Sequence, residues 1–131
     1  MRFLLDSHVF LWWLQDSPKL GRGARSAIAS PVSSVFVSAA SIWELSIKLG
    51  LGKLRYRQPT RTSLDASISL CGFVELPVTG RHAVGMRDLP LVHVDPFDRL
   101  LISQALAEGL RIVTSDSAFQ RYGVPVLAAA S

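Results

Sequence analysis

The sequence predicts an α/β fold in which helices cover a central parallel sheet. Short apolar runs rich in β-branched residues alternate along the chain with longer segments of helical apolar spacing, which is the pattern of parallel strands joined by helices. Hydrophobic residues make up 49% of the chain and charged residues 18%, as in globular proteins. The length of 131 residues suits one domain covering residues 1–131, and no segment is typical of a linker that would divide it.

The first strand and the two helices after it are predicted from residues 1–30. The run RFLLD at 2–6 is apolar and ends in an acid, which indicates a buried strand. Apolar residues within 7–15 recur at helical spacing, and SPKLGRG at 17–23 is typical of a turn. The small residues of GRGARSAIAS at 21–30 predict a second helix.

The second strand and its helix are predicted to be contiguous. VSSVFVS at 32–38 is rich in β-branched residues and predicts a strand. SAASIWELSIKLGLGKL at 38–54 has the spacing of an amphipathic helix, which Gly50 and Gly52 are expected to terminate. Its SIWE stretch at 41–44 matches the S-x-x-E capping box of a helix N-terminus.

The second half of the chain repeats the alternation. The helical pattern is strongest at 96–109, where Gly109 is expected to end the helix, and the run at 111–116 predicts a strand. The other predicted elements of this half are helices at 62–72, 79–90 and 117–123 and strands at 73–76 and 124–129.

The chain is basic, with 14 Lys and Arg against 10 acids, a net charge of +4 and a pI of about 9.8. A basic surface favours polyanions, above all nucleic acid. The candidate contacts to a nucleic-acid backbone are Lys48, Lys53, Arg55, Arg57 and Arg61. The alternative interpretation is that these residues form only a solvated helix end and loop.

Cysteine content and apolar run length indicate the compartment. The single cysteine, Cys71, excludes an internal disulfide and fits a reducing environment. Asp6 and His8 interrupt the apolar N-terminal run, and no apolar segment reaches the roughly 20 residues of a membrane span. We therefore expect a cytoplasmic protein.

Half of the acids fall where predicted strands pass into helices: Asp6, Glu44, Asp95, Asp98 and Asp116. Because parallel strands end on one edge of a sheet, acids that follow several strands are expected to converge there. Each acid taken alone is equally suited to capping a helix N-terminus, where a carboxylate accepts backbone N–H groups. For Asp95, which precedes Pro96, the cap is the favoured interpretation.

Converging carboxylates would repel one another, by a sum on the order of 15 kcal/mol before screening at an effective dielectric constant of about 20. A divalent cation removes this conflict. Oxygen ligands without a supporting set of Cys or His favour Mg²⁺ or Mn²⁺, and such a cation can activate water and stabilise the charge on a phosphodiester. An acidic centre in a basic protein thus predicts a metal-dependent enzyme that cuts nucleic acid.

Four segments together resemble the PIN-domain ribonucleases, in particular the toxins of VapBC-type toxin–antitoxin pairs. The segments are FLLDSHVFLWWL, SAASIWELSIKLGLGKL, HVDPFDRLLISQA and IVTSD with the YGV that follows it. The resemblance implies a Rossmann-like α/β/α fold whose central parallel sheet has about five strands. It also implies Mg²⁺- or Mn²⁺-dependent endoribonuclease activity, a homodimer, and inhibition by a small antitoxin protein.

By this resemblance, the four acidic positions that bind metal and catalyse RNA hydrolysis are Asp6, Glu44, Asp98 and Asp116. The string DRLLISQA selects Asp98 over Asp95 as the third acid. Ser7 and Thr114 match hydroxyl positions that would orient the metal ligands, and Asp95 would add negative potential beside them.

Two other functions suit an acidic α/β domain. One is a PIN-like module that binds RNA or a partner without cleaving RNA. The other is a receiver-like signalling domain, which requires an acidic pair after the first strand and a lysine at a late strand end. This chain has a single acid at position 6 and no lysine after Lys53, which disfavours the signalling domain.

The tryptophan and histidine side chains are expected to be mainly structural. Trp43 is expected in the core, whereas Trp12 and Trp13 suit the core and a partner-binding groove equally. His82 is expected on the surface.

Overall fold

The computed structural model describes residues 1–56, 62–92 and 95–131. The strands in these ranges are β1 (Arg2–Leu5), β2 (Ser34–Ser38), β3 (Val74–Leu76), β4 (Arg111–Thr114) and β5 (Val126–Ala128). The helices are α1 (Ser7–Gln15), α2 (Arg22–Ala29), α3 (Ala39–Gly50), α4 (Leu64–Leu70), α5 (Gly80–Gly85) and α6 (Pro96–Glu108). Met86–Asp88 and Ser117–Tyr122 form short 3₁₀ segments. Across these ranges, no helix has the length and apolarity to cross a membrane.

The five described strands form one parallel sheet in the order β3-β2-β1-β4-β5. β1 lies at the centre, where its Leu5 pairs with Val37 of β2 and with Val113 of β4. Because the strands run in one direction, the segments that follow them all begin at one edge, which we call the carboxyl edge. The predicted α/β fold with a parallel sheet is confirmed.

Helices cover both faces of the sheet, so the fold has three layers. On one face, Phe3 and Leu5 of β1 pack in a core with residues of α1, α2 and α4. On the other face, Leu4 packs with residues of α6 and of the 3₁₀ segment Ser117–Tyr122. Successive side chains of a strand point to opposite faces, and a central parallel strand is buried on both. The two apolar cores fix β1 in place and thereby position the residues that follow it.

Helix α3 begins before the capping box that the sequence predicted at 41–44. The N-cap is Ser38, whose hydroxyl accepts the N–H of Ala40 at 3.0 Å. Ser41 and Glu44 therefore lie inside the helix, and both are buried. The capping-box prediction is wrong because the last residue of β2 already provides the cap.

His82 is buried, so the prediction that it lies on the surface is wrong. Its Nδ1 accepts the N–H of Thr79 at 3.1 Å, while Thr79 Oγ1 accepts the N–H of His82 at 3.4 Å, a reciprocal cap of α5. Its Nε2 lies 3.0 Å from Oε1 of Glu108 in α6. The imidazole thus lies buried between the two helices, where it caps α5 and contacts Glu108 of α6.

Close packing of α5 on α6 makes Gly85 sensitive to substitution. A Cβ at Gly85 would lie 2.6 Å from Ser103 Oγ, which donates a 2.6 Å hydrogen bond to the His82 carbonyl oxygen. Gly85→Ala is expected to lower the free energy of unfolding by about 1–2 kcal/mol, because the added methyl displaces this hydroxyl. Urea unfolding followed by circular dichroism measures the change.

Gly80→Ala is the matched control, because the added Cβ would have no neighbouring atom within 4 Å. It should not destabilise the protein. Equal losses of stability from the two substitutions would contradict the packing argument.

Candidate active site

The carboxylate of Asp6 lies at the carboxyl edge, directly after β1. Asp6 is the N-cap residue of α1, but its side chain makes no cap hydrogen bond. Its Oδ2 instead accepts a hydrogen bond from Thr114 Oγ1 of β4 at 2.8 Å, and the residue is only 7% exposed. Helix capping therefore does not explain why an acid stands at this position.

Thr114 connects the acids that follow β1 and β4. While it donates to Asp6, its Oγ1 accepts the backbone N–H of Asp116 at 3.1 Å. The carboxylate of Asp116 in turn accepts the N–H of Ala118 at 2.9 Å and caps the following 3₁₀ segment. The two neighbouring strands thus bring Asp6 and Asp116 to the same part of the edge.

Glu44 of α3 is buried, with 5% exposure, and both of its carboxylate oxygens are hydrogen-bonded. Ser7 Oγ donates to Oε1 at 2.6 Å, and Lys48 Nζ donates to Oε2 at 2.9 Å. Because Ser7 directly follows Asp6, its hydroxyl joins the acid of α3 to the acid after β1.

The environment of Asp6 disfavours its negative charge. Burial raises the pKa of the Asp6 carboxyl above its ordinary value, and the negative charge of Glu44 raises it further. The hydrogen bond from Thr114 and the charge of His8 act in the opposite direction. Because burial is the largest cause, ionised Asp6 would be stabilised by an added positive charge.

The N-terminus of α6 contributes two more acids to this region. Asp95 is the N-cap, and its Oδ1 accepts the N–H of Phe97 at 2.9 Å, which confirms the predicted capping role. Asp98 follows in the first turn. The pKa of the Lys48 ammonium is raised, chiefly by its hydrogen bond to Glu44 and further by the charges of Asp95 and Asp98. The acids of α6 therefore lie close enough to act on the α3 side of the site.

Hydroxyl groups link the predicted acids in pairs. The hydroxyl of Ser7, the residue after Asp6, donates to Glu44. The hydroxyl of Thr114 donates to the Asp6 carboxylate and accepts the backbone N–H of Asp116. In the part of the chain that the structure describes, no three Asp, Glu, His or Cys side chains lie close enough to hold a metal ion. The four-acid ligand set therefore stays a prediction.

The chemistry of the donor groups fits a hard divalent cation. Asp6 and Glu44 are buried acids, and the pKa of Asp6 is raised chiefly by burial and to a smaller extent by the charge of Glu44. Carboxylate oxygens are the ligands that Mg²⁺ and Mn²⁺ prefer in proteins. A cation between them would replace this repulsion with attraction.

Two aromatic rings border the acids. Trp43 precedes Glu44, Phe97 precedes Asp98, and the two ring centroids lie 5.2 Å apart in an edge-to-face arrangement. Trp43 is 61% exposed, so the prediction that it belongs to the core is wrong. Leu45, two positions later on α3, takes the core position, and residues two apart on a helix face in different directions. Trp12 and Trp13 are partly buried against the core.

Of the basic residues predicted to contact nucleic acid, Lys48 is bound to Glu44, and Lys53 and Arg55 are exposed. Arg57 and Arg61 lie outside the described residues. The Lys48–Glu44 pair was not predicted from the sequence. The pair could have been predicted from the spacing of four residues between Glu44 and Lys48, at which Glu and Lys interact on a helix.

A PIN domain family model matches residues 3–125. The chain is also 30% identical over 130 residues to Ribonuclease VapC22 of Mycobacterium tuberculosis (strain ATCC 25618 / H37Rv), and the match covers 93% of this chain and 92% of that protein. The family match thus extends from β1 to the residue before β5.

Two solved structures have the same fold. VapBC2 from Rickettsia felis, bound to a promoter DNA fragment, matches with a TM-score of 0.72 at 16% identity over 97% of this chain and 98% of the other. DNA-bound VapBC from Salmonella typhimurium matches with a TM-score of 0.66 at 19% identity over 97% of each chain. At these identities the two structures support the fold alone.

The raised pKa of Asp6 predicts a stability difference. Asp6→Asn is expected to raise the free energy of unfolding at pH 7 in EDTA by on the order of 1 kcal/mol, because ionised Asp6 destabilises the folded state. The unfolded carboxyl titrates near pH 3.8 and the folded one at higher pH. The difference is therefore complete above the folded pKa and disappears as the pH falls below 3.8.

Urea unfolding of both proteins between pH 3 and pH 8 measures this dependence. Asp88→Asn, at an exposed position, is the control and should show no such trend. A lower stability of Asp6→Asn at pH 7 would show that the charge of Asp6 is already well compensated.

Proposed function

Because the chain belongs to the PIN-domain family, we propose that it is a VapC-type toxin, a metal-dependent endoribonuclease that hydrolyses RNA phosphodiester bonds. The identity of 30% to Ribonuclease VapC22 over 93% of the chain supports this activity. The observation that carries the proposal is the burial of Asp6 and Glu44 at the carboxyl edge. Ser7, the residue after Asp6, donates a hydrogen bond to Glu44, and neither carboxylate makes a helix-capping hydrogen bond. We further propose that residues 1–131 form one PIN domain and act in the cytoplasm.

PIN-domain ribonucleases generally use divalent metal ions, and Mg²⁺ or Mn²⁺ suits the oxygen donors of this site. The side chains proposed to hold the ion are Asp6, Glu44, Asp98 and Asp116. When bound, such an ion activates water and stabilises negative charge on the phosphodiester. Thr114 and Ser7 fix the directions of the first two carboxylates through hydrogen bonds. Asp95 caps α6 and adds negative potential beside the site.

RNA is the proposed substrate because an acidic centre lies within a protein of net charge +4. The exposed side chains of Lys53 and Arg55 follow α3 and would attract the phosphates of an RNA strand. Arg57 and Arg61 belong to the same basic segment of the sequence. Basic groups would thus bind the backbone while the acids act on one phosphodiester.

A small antitoxin is the proposed inhibitory partner, and α3 offers a surface for it. Trp43 and Ile47 of α3 and its C-cap residue Leu51 are 61%, 40% and 64% exposed, and their spacing of four residues places them towards one side of the helix. We call these three residues the α3 stripe. Glu44 and Lys48 adjoin the stripe on the same helix.

A partner segment bound to the α3 stripe would border the acids and block the approach of RNA. Exposed apolar surface of this kind commonly marks a protein-binding site. The solved structures of the same fold from Rickettsia felis and Salmonella typhimurium are of VapBC, and the antitoxin partner is proposed for this chain by analogy with them. A homodimer is also proposed.

Removing a carboxylate from the site should abolish cleavage. Asp98→Asn and Asp6→Asn are each expected to slow Mn²⁺-dependent cleavage of a labelled RNA by roughly 100-fold or more, because a metal contributes several kcal/mol of transition-state stabilisation. Gel electrophoresis of the RNA measures the rate, and circular dichroism checks the fold. Asp88→Asn is the control, because Asp88 is exposed and is not one of the proposed site residues, and it should cleave RNA at the parent rate.

Cleavage by Asp98→Asn at the parent rate would refute the role of this acid. Purified parent protein that binds RNA but shows no chelator-sensitive cleavage would favour the non-catalytic PIN-like module instead.

Charge placed on the α3 stripe should weaken antitoxin binding. Ile47→Asp is expected to raise the dissociation constant for the proposed antitoxin by at least about 10-fold, since a carboxylate would be buried without a partner. Isothermal titration calorimetry measures the affinity. Val32→Asp is the matched control, because Val32 is more exposed and precedes β2 at the opposite edge of the sheet. Equal affinities of the two variants would place the antitoxin elsewhere.

A further inference from the structure

We propose that Lys48 is a tethered counter-cation of the acidic site, which holds Glu44 when no metal is bound and competes with the divalent ion for that carboxylate. The inference rests on the proposed function in one respect, namely that the same acids bind the metal. It adds Lys48 as a residue that sets how tightly these acids bind the metal ion.

The geometry places the ammonium where it meets an incoming ion. Lys48 Nζ lies 2.9 Å from Glu44 Oε2, and Ser7 Oγ holds the other oxygen at 2.6 Å. Glu44 is buried, whereas Lys48 is only partly buried. A metal ion that approached Oε2 would therefore come within a few ångströms of a positive charge, unless the lysine side chain moved towards solvent.

Lys48 is hydrogen-bonded to Glu44, and the charges of two further acids also favour its ammonium. Asp95 and Asp98, on a different helix, act on the ammonium together with Glu44. An ordinary i, i+4 pair on an exposed helix face involves only its two partners. In this proposal Lys48, hydrogen-bonded to Glu44, would also offset part of the negative charge of the α6 acids, which is the role proposed for the metal.

The competition has a direct consequence for metal dependence. Without metal, Lys48 reduces the repulsion between Glu44 and the acids of α6, so it stabilises the folded chain. With metal, the same charge repels the ion and weakens its binding. Lys48 would thus stabilise the metal-free protein and raise the metal concentration that the site needs.

Calorimetric titration of Mn²⁺ into the full chain tests the inference without measuring RNA cleavage. Lys48→Met is expected to bind Mn²⁺ about 10-fold more tightly than the parent, because a like charge beside the ion is removed. Lys48→Arg keeps the charge and should bind within about 3-fold of the parent. Lys19→Met makes the same charge change in the turn after α1 and should leave the affinity unchanged.

Thermal unfolding in EDTA and in Mn²⁺ provides the second readout and checks that each variant folds. Lys48→Met should melt below the parent in EDTA and gain more than the parent when Mn²⁺ is added. Mn²⁺ affinity of Lys48→Met equal to or weaker than that of the parent would overturn the inference while leaving the proposed function standing. A parent protein that binds no Mn²⁺ would overturn both.

Discussion

The burial of two carboxylates, Asp6 and Glu44, is the constraint on which the rest of the site depends. In a parallel sheet the residues that follow neighbouring strands meet at one edge, and there the surrounding protein shields them from water. Charged groups in such a place require compensation. The hydroxyls of Ser7 and Thr114 provide part of it, and the ammonium of Lys48 provides more. The proposed metal ion would complete it.

The same constraint connects the fold to the proposed activity. β1 fixes Asp6, β4 supplies Thr114 and leads to Asp116, and α3 contributes Glu44 from the segment after β2. Each of these elements is held by the apolar cores on the faces of the sheet. A rigid sheet thus positions acids from distant parts of the chain, and a partner bound to the exposed α3 stripe, as proposed, would lie beside them.

Most of the fold was predictable because the apolar pattern changes period where the structure changes type. The strand at 2–6 and the helix at 7–15 agree with β1 and α1 to within one residue. The strand is a short apolar run, and the apolar residues of the helix recur at helical spacing. The prediction of acids at the carboxyl edge depended only on their positions after strands. Their hydrogen-bond partners were not predicted individually, because they depend on the register between β1 and β4.

The wrong predictions share a physical cause, which is that one-dimensional patterns do not fix helix rotation or choose between two caps. Trp43 is exposed because Leu45 faces the core, and Ser38 caps α3 because β2 ends one residue before the helix. His82 is buried because α5 and α6 pack closely enough for Glu108 to reach its ring.

A crystal structure of the protein grown with Mn²⁺ tests the central claim most directly, through the anomalous scattering of the ion. We expect an anomalous peak at the carboxyl edge, within about 2–2.5 Å of carboxylate oxygens of Asp6 and of at least one of Glu44, Asp98 and Asp116. A fully occupied Mn²⁺ elsewhere, with Asp6 bound only to Thr114, would contradict it.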